Sequence, residues 1–235
     1  MENSIILGDG IEGLKKIEES SIDLVFTDPP FGITFSGKSS VYNRNQNMVI
    51  GEYSEWDENS YKEKTDQWIS NATKIIKPTG SLVIVSGWTN LLDILQSCKT
   101  NNLILKNHII WKYQFGVYTT KKFVSSHYHI LWYVKGKKYT FNKQYEDPKL
   151  NYKDMEDVWV ISRPYKKKIE KTPTCLPEEL VEKIICYLSN EGDIIVDPFT
   201  GSGAIPRIAK KRQRKFIAYE IDPVIHSYAI KYLDI

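Results

Sequence analysis

Short apolar runs alternate with segments whose apolar residues recur at helical spacing along most of this chain. A short apolar run is typical of a buried strand, whereas an apolar residue at every third or fourth position is typical of a helix packed on one face. The pattern predicts strands at 4–7, 22–27, 81–85, 104–111, 128–134, 193–197 and 215–219. It predicts helices at 11–18, 61–76, 91–100, 178–188, 204–212 and 223–233.

Strands that alternate with helices indicate an α/β fold with a doubly wound, mostly parallel sheet of seven strands. The strands at 104–111 and 128–134 have no predicted helix between them, so they are expected to form an antiparallel hairpin at one edge of that sheet. The helix at 61–76 should stop before Pro78-Thr79-Gly80. At 235 residues, the chain 1–235 is expected to be a single domain.

The tetrapeptide Asp28-Pro29-Pro30-Phe31 directly follows the apolar run at 22–26. Consecutive prolines cannot continue a strand ladder or enter a helix interior, so the backbone after the strand should be stiff and turned. A carboxylate, a backbone carbonyl and an aromatic ring are therefore expected at the carboxyl end of a strand. Open α/β sheets bind their ligands at that end.

A second motif lies near the end of the chain, where Asp197-Pro198-Phe199-Thr200-Gly201-Ser202-Gly203 joins an apolar strand to a helix. Its glycines allow positive φ and a close approach of backbone to ligand, and the helix that follows offers its amino end to a negative group. One strand later comes Glu220, at a spacing where acids accept hydrogen bonds from ribose hydroxyls. The three-glycine spacing of a dinucleotide site is absent.

Together these residues resemble the DNA amino-methyltransferase family, which uses S-adenosylmethionine. The tetrapeptide at 28–31 matches the catalytic motif, 197–203 matches the motif on the methionine side of the cofactor, Glu220 matches the ribose-binding acid, and Gly8-Asp9 matches the motif near the adenine. The resemblance implies that the cofactor contacts come from Asp9, Asp197, Phe199, Thr200, Gly201, Ser202, Gly203 and Glu220. It implies that the catalytic residues are Asp28, Pro29, Pro30 and Phe31.

The catalytic motif precedes the cofactor motif, which is similar to the β order of this family. Such a chain is circularly permuted relative to methyltransferases that begin with the glycine-rich unit, so the strand at 4–7 should lie beside the strand at 215–219. In the family, the interval that corresponds to 135–171 carries target recognition. It is short here, which predicts a small recognition insertion, and the irregular stretch at 31–60 predicts a flap over the active site.

The implied chemistry is direct transfer of a methyl group to the exocyclic amino group of a base. Asp28 and the carbonyl of Pro29 would accept hydrogen bonds from that amino group, and Phe31 would stack on the base after it has left the helix. Asp at the first position of the tetrapeptide mostly accompanies adenine in this family, and Ser mostly accompanies cytosine. The chain has no Pro-Cys nucleophile, which argues against methylation of a cytosine ring carbon.

Positive charge is clustered even though the net charge is only +3. The runs can be solvated surface or can contact DNA phosphates, and electrostatic attraction to phosphates is common to DNA-binding proteins. The segment 112–122 interleaves aromatics with lysines, which suits either DNA contact or a loop over the core edge. The lysines expected to contact DNA are Lys112, Lys121, Lys122, Lys135, Lys137, Lys138, Lys166, Lys167 and Lys168.

The remaining composition predicts an intracellular enzyme without a metal. Three scattered cysteines, with no Cys-x-x-Cys, argue against disulfides and structural zinc. His127 and His129 would face one way on a strand, but no third ligand is apparent, so no metal is expected. No run reaches membrane-spanning length. We expect a cytoplasmic protein held at the nucleoid by its DNA substrate.

The resemblance implies double-stranded DNA as partner, in a restriction-modification system with a cognate endonuclease or as a solitary methylase, and it is compatible with a homodimer. Several alternatives stay open. Cytosine amino (N4) methylation would use the same motifs. A catalytically inactive DNA-binding subunit could retain the fold, although the intact motifs argue against it. Protein-glutamine and small-molecule methyltransferases share a similar proline motif, but their cofactor motif usually comes first.

Overall fold

The computed structural model describes residues 2–31, 56–114, 120–143, 155–164 and 175–233. Its strands are β1 (Ser4–Leu7), β2 (Ile22–Thr27), β3 (Ile76–Ser86), β4 (Ile104–Lys112), β5 (His127–Val134), β6 (Val158–Val160), β7 (Ile194–Asp197) and β8 (Lys215–Glu220). Its helices are α1 (Gly10–Leu14), α2 (Glu58–Ile75), α3 (Leu91–Thr100), α4 (Glu178–Leu188), α5 (Ala204–Lys211) and α6 (Pro223–Leu233).

The described strands form one sheet in the order β1-β8-β7-β2-β3-β5-β4-β6. All neighbours pair in parallel except β5, which is antiparallel to both β3 and β4. The doubly wound, mostly parallel sheet is confirmed, and so is the pairing of β4 with β5. The predicted adjacency of the first and last strands is also confirmed, since Ser4 pairs with Ile217 and Leu7 with Glu220.

Two hydrophobic cores cover the two faces of the sheet, because successive residues of a buried strand point to opposite sides. In β2, Leu24 and Phe26 pack into the core beneath α4 and α5, whereas Val25 packs into the core beneath α2 and α3. All three side chains have no exposed surface. A strand that is buried on both faces explains why β2 reads as a continuous apolar run.

The sheet has eight strands in the described residues, so the prediction of seven is wrong. The additional strand is β6, which pairs in parallel with β4 over three residues. It lies inside the interval 135–171, of which the structure describes 135–143 and 155–164. The single domain with a recognition insertion stays a prediction, and the proposed flap at 31–60 falls almost wholly outside the described residues.

A second difference lies at the start of β3, which begins at Ile76 and runs through Pro78 and Gly80. The helix was predicted to end before these residues, and α2 does end at Ile75, but the strand predicted at 81–85 already begins at Ile76. The register between β2 and β3 shifts between Ile22 and Leu24, which gives the proline and glycine room within the strand. An added Cβ on Gly80 would meet the backbone carbonyls of Ile22 and Asp23, so only glycine fits there.

No helix in the described part of the chain is long and apolar enough to cross a membrane.

Candidate active site

The carboxyl ends of β1, β8, β7 and β2 meet at one edge of the sheet, which we call the catalytic edge. The strands are parallel neighbours, so the residues that follow them are brought together although they are far apart in sequence. Asp9 follows β1, Asp28 follows β2, and Asp197 and Glu220 are the last residues of β7 and β8. The fold therefore collects the predicted catalytic and cofactor motifs at one place.

The two motifs are joined by a buried hydrogen bond. Thr27, the last residue of β2, donates from Oγ1 to Oδ1 of Asp197 over 2.8 Å. The same Asp197 oxygen accepts the backbone N–H of Phe199 at 3.2 Å. Burial raises the pKa of the Asp197 carboxyl to about 7. Asp197 is therefore a buried residue that connects the end of β2, just before Asp28, to the glycine-rich turn, and it is not exposed to a ligand.

The catalytic tetrapeptide turns away from the sheet immediately after β2. Pro29 is buried, whereas Asp28, Pro30 and Phe31 are half-buried. The ring of Phe31 stacks on Tyr128, with centroids 5.9 Å apart and planes at 6°. Tyr128 is itself in contact with Trp111 at 5.6 Å and with Tyr113 at 5.5 Å. We refer to these four rings as the aromatic cluster.

The aromatic cluster was missed by the sequence analysis as a part of the site. Tyr128 lies near the start of β5, and β5 runs against the parallel strands, so its beginning lies at the catalytic edge. The alternation of β5 could have placed Tyr128 opposite Trp111, its partner in the sheet. Nothing local in the sequence shows that this pair would meet Phe31.

Beside the tetrapeptide lies an open cleft whose lining combines residues from the beginning, the catalytic motif and the end of the chain. Pro30 borders it, so the cleft adjoins the catalytic motif. The lining also includes the predicted cofactor residues Asp9, Phe199 and Glu220. The cleft is lined by Asp9, Gly10, Ile11, Pro30, Trp56, Lys64, Pro198, Phe199, Tyr219, Glu220, Ile221, Asp222 and Ile225.

Glu220 is the buried carboxylate of this cleft, with 8% of its surface exposed. Its Oε2 accepts the N–H of Gly201 at 2.8 Å, and its Oε1 accepts the N–H of Asp222 at 2.9 Å. An ionised carboxylate offers about four acceptor positions, so each oxygen can still accept a ribose hydroxyl. Burial raises the pKa of Glu220. The two backbone donors hold the carboxylate in one orientation.

The glycine-rich turn adopts the backbone that its sequence predicts. Gly201 and Gly203 have φ of 53° and 82°, in the left-handed region that favours glycine. Gly203 is the N-cap of α5, and an added Cβ there would press on Ala229 of α6. Thr200 is buried and Ser202 is half-buried. Gly201, Ser202 and Gly203 do not line the cleft but lie next to it through the hydrogen bond from Gly201 to Glu220, whereas Pro198 and Phe199 of the same motif do line it.

The cleft fits the nucleoside part of S-adenosylmethionine. Glu220 has acceptor positions that could hold two ribose hydroxyls, and Ile11, Phe199 and Ile221 line the cleft with apolar surface that could hold a flat base. Asp9 is the N-cap of α1 and accepts the N–H of Ile11 at 2.7 Å, which holds the amino-terminal end of that helix beside the cleft.

Gly10 and Asp222 are further cleft residues that the sequence analysis missed. An added Cβ on Gly10 would clash with the carbonyl oxygen of Pro198, so glycine is needed where α1 crosses the glycine-rich turn. Asp222 caps α6 by accepting the N–H of Val224 at 2.7 Å. The pair Asp222-Pro223 is an N-cap followed by a proline at the first helical position, a signal that could have identified it.

The predicted DNA-contacting lysines that the structure describes lie at two opposite edges of the sheet. Lys112, Lys121 and Lys122 lie at the catalytic edge, beside the end of β4 and the start of β5. Lys135 follows the end of the antiparallel β5 and donates to the carbonyl of Ile76 at 3.0 Å. It therefore lies at the amino ends of the parallel strands. The structure does not bring the group formed by Lys135, Lys137 and Lys138 to the catalytic motif, and Lys166, Lys167 and Lys168 lie outside the described residues.

The histidines form a small cluster that was only partly foreseen. His108 lies beside His129, with Nε2 and Nδ1 2.7 Å apart, and the rings of His127 and His129 meet at 5.1 Å. Burial, together with the two neighbouring rings, lowers the pKa of His129 to about 4. Among the residues that the structure describes, no group of three or more side chains is arranged to hold a metal ion.

The sequence of this chain is similar to a known protein family and to individual methyltransferases. The family model described as DNA methylase, for N6 and N4 methyltransferases, matches residues 22–231. The Type II methyltransferase M.HpaI of Haemophilus parainfluenzae is 30% identical over 248 residues, covering 100% of this chain and 75% of that protein. The Type II methyltransferase M2.LlaDCHI of Lactococcus lactis subsp. cremoris is 31% identical, covering 93% and 85%.

Solved structures share the fold. A crystal structure of the M1.HpyAVI–SAM complex has a TM-score of 0.72 at 24% identity and covers 99% of both chains. The cytosine-N4-specific PvuII DNA methyltransferase has a TM-score of 0.76 at 19% identity, covering 99% of this chain and 86% of that one. The family match across most of the chain, together with relatives at 30% identity or more, shows that this protein belongs to the DNA amino-methyltransferase family, whose cofactor is S-adenosylmethionine.

Proposed function

We propose that this chain methylates the exocyclic amino group of adenine in double-stranded DNA, at a specific sequence. The observation that carries the proposal is the position of Asp28-Pro29-Pro30-Phe31, at the end of β2 and beside the cleft that fits the cofactor. Asp at the first position favours adenine over cytosine. Relatives that are Type II methyltransferases support a role in restriction-modification.

The residues of the tetrapeptide divide the work. The amino nitrogen of a base is a poor nucleophile because its lone pair is delocalised into the ring. Asp28 and the carbonyl of Pro29 accept its two hydrogens, which favours a tetrahedral nitrogen with an available lone pair. Phe31 and Tyr128 hold the ring plane by stacking, and such stacking contributes about 1–3 kcal/mol per base.

S-adenosylmethionine supplies an electrophilic methyl group on a sulfonium. Bound in the cleft, the cofactor would give up this methyl group with its thioether as the leaving group, while Asp28 and the carbonyl of Pro29 hold the amino nitrogen and accept its hydrogens. Much of the rate comes from orientation, which contributes on the order of 7–11 kcal/mol in well-positioned reactions. The adjacency of Pro30 to the cleft provides that orientation, since one residue borders both the base site and the cofactor site.

Asp28→Ala should abolish methyl transfer and leave cofactor binding unchanged, because Asp28 is assigned to the amino group and does not line the cleft. Transfer of a labelled methyl group to DNA measures activity, and calorimetry measures cofactor affinity. Glu191→Ala is the control, since Glu191 is an exposed acid between α4 and β7. Activity of Asp28→Ala within about tenfold of the original chain would contradict the assigned role. A change that small means that the substitution removes at most about 1.4 kcal/mol of transition-state stabilisation.

The product distinguishes adenine from its alternative. DNA methylated by the purified protein is digested to nucleosides, and the methylated nucleoside is identified by mass spectrometry. We expect N6-methyladenosine in its deoxy form. N4-methylcytidine alone would replace the proposal by cytosine amino-methylation, and absence of any methylated nucleoside would favour an inactive DNA-binding subunit. Sequencing of modified sites in cells that express the chain would give the recognition sequence.

A further inference from the structure

Arg163 lies at the catalytic edge, although nothing in its sequence position indicates this. The segment after β6 is tied to the end of β4, since the N–H of Ile161 donates to the carbonyl of Lys112 at 3.1 Å. In return, Nε1 of Trp111 donates to the carbonyl of Ile161 at 2.9 Å. Arg163 follows two residues later and is half-buried.

The guanidinium of Arg163 lies on the aromatic cluster. Its central carbon is 3.8 Å from the ring centroid of Tyr113 and 4.9 Å from that of Tyr128. Tyr128 also stacks on Phe31, so a single ring separates the arginine from the base-stacking residue of the catalytic motif. Contact with the tyrosine faces satisfies the flat face of the guanidinium and leaves the N–H donors at its rim.

The charge of Arg163 has no acidic partner among the described residues. The other described arginines have acceptors within the protein: Arg207 pairs with Glu178 at 2.6 Å, Arg212 pairs with Glu182, and Arg214 donates to the backbone carbonyl of Ser189 at 2.8 Å. A half-buried guanidinium whose N–H donors meet no acidic side chain in the described part of the chain is stabilised by an anion, because hydrogen bonds to charged groups are about twice as strong as neutral ones.

We propose that Arg163 binds a backbone phosphate of the target nucleotide while the base of that nucleotide lies against Phe31. A guanidinium matches a phosphate with two parallel N–H donors. Phe31 and Arg163 both contact Tyr128, at 5.9 Å and 4.9 Å from its ring centroid, so a base on Phe31 and a phosphate on Arg163 would lie on the same aromatic cluster. This inference rests on the proposed function, since it requires DNA as substrate and a base at Phe31.

Two other roles make different predictions. If Arg163 only packs on Tyr113 and Tyr128, its replacement lowers stability and turnover without changing the salt dependence of DNA binding. If it reads a base edge instead, its replacement relaxes the recognition sequence. If Arg163 contacts a phosphate, its replacement changes neither the recognition sequence nor the thermal midpoint, but DNA binding then releases one fewer counterion.

The experiment compares Arg163→Gln, Arg163→Lys and a control, Lys106→Gln. Lys106 is matched to Arg163 because its ammonium also lies over a tyrosine, 4.6 Å from the ring centroid of Tyr139, but it comes from the amino-terminal half of β4, away from the catalytic edge. The DNA is a duplex that contains the site methylated by the original chain. Measurements are DNA affinity against salt concentration, KM and kcat for DNA, cofactor affinity, thermal midpoint and modified sites.

We expect Arg163→Gln to reduce the slope of log affinity against log salt by about one unit and to raise KM for DNA about ten- to a hundredfold, with kcat little changed. Arg163→Lys should retain the slope, since it keeps the charge, and Lys106→Gln should match the original chain. Cofactor affinity and thermal midpoint should not change in any variant.

An unchanged slope for Arg163→Gln overturns the phosphate assignment, and so does a slope reduced equally in Lys106→Gln. New modified sites for Arg163→Gln would assign the residue to base recognition instead. These results leave the proposed function intact provided that the original chain methylates DNA. If the original chain binds cofactor and methylates no DNA, the proposed function itself fails.

Discussion

Asp197 shows how a single buried residue can serve two motifs at once. Its carboxyl accepts the Thr27 hydroxyl and the Phe199 N–H, so it fixes the glycine-rich turn to the strand that carries Asp28. With 2% of its surface exposed, it is desolvated enough to raise its pKa to about 7. The family resemblance treats this residue as a cofactor contact, whereas its geometry here is that of a positioning residue.

The raised pKa of Asp197 predicts how stability depends on pH. Between its unfolded pKa of 3.8 and its folded pKa of about 7, the unfolded chain releases a proton that the folded chain keeps. The stabilising effect is complete below the unfolded pKa and is lost as pH rises through the folded pKa. Glu220, whose pKa burial also raises, contributes in the same direction.

Asp197→Asn tests this linkage, because the amide keeps an acceptor and cannot titrate. The free energy of unfolding should fall less steeply between pH 4 and pH 7 in the variant, by at most about 1.4 kcal/mol per pH unit. Denaturant unfolding at several pH values without cofactor measures the difference. Parallel pH profiles for both proteins would mean that the Asp197 pKa is not raised.

At the scale of elements, the helices followed closely from the sequence. The bounds of α3 and α4 match their predictions, since apolar residues at helical spacing define both the type and the extent of an element. β6 was missed because three residues are too few for a period, and its Val158 and Val160 are exposed. The bond between Thr27 and Asp197 joins residues 170 apart, so no local pattern could reveal it.

The position of the lysines follows from the direction of β5. An antiparallel strand begins at the edge where its parallel neighbours end, so residues that precede β5 lie at the catalytic edge and residues that follow it lie at the opposite edge. The predicted antiparallel hairpin already implies that these two lysine runs lie at opposite edges, but the prediction of DNA contacts rested on their charge alone. The structure therefore separates two runs that the sequence treated alike.

Paired substitutions at the two edges test this separation. Lys121→Ala with Lys122→Ala should reduce the slope of log DNA affinity against log salt by up to about two units, if each lysine contacts one phosphate. Lys137→Ala with Lys138→Ala removes the same charge at the opposite edge and should leave the slope unchanged. An equal loss in both double variants would show that DNA contacts both edges.

The contact between α1 and the glycine-rich turn gives a second prediction at this scale. Gly10→Ala should destabilise the fold by about 1–3 kcal/mol, because its methyl group would overlap the carbonyl of Pro198 and neither backbone segment can yield easily. Gly87→Ala is the matched control, since an added methyl group there makes ordinary contacts at 3.8 Å with Phe31. Urea unfolding measures the stability of both variants. Equal stability of the two would mean that the carbonyl of Pro198 does not require glycine at position 10.

At the scale of the whole molecule, the cofactor cleft joins the two ends of the chain. Asp9 to Ile11 come from the beginning, Pro198 to Ile225 come from the end, and Pro30 links both to the catalytic motif. β1 and β8 are paired neighbours that are separated by nearly the whole sequence. A ligand in the cleft therefore stabilises contacts of high sequence separation, and its binding energy adds to the stability of the whole fold.

S-adenosylmethionine should raise the thermal midpoint accordingly. At a hundred times its dissociation constant, it adds about 2.7 kcal/mol, which corresponds to roughly 5–10 °C for a chain of this size. Glu220→Ala removes the acceptor that we assign to the ribose, so the affinity of the protein for S-adenosylmethionine should fall about ten- to a hundredfold. The rise in thermal midpoint at the same cofactor concentration should then be smaller. Glu191→Ala, an exposed acid between α4 and β7, is the control and should retain the full shift. The quantity compared is the difference between the thermal midpoints with and without cofactor, so a change in basal stability does not affect it. An undiminished difference for Glu220→Ala would show that Glu220 is not part of the cofactor site.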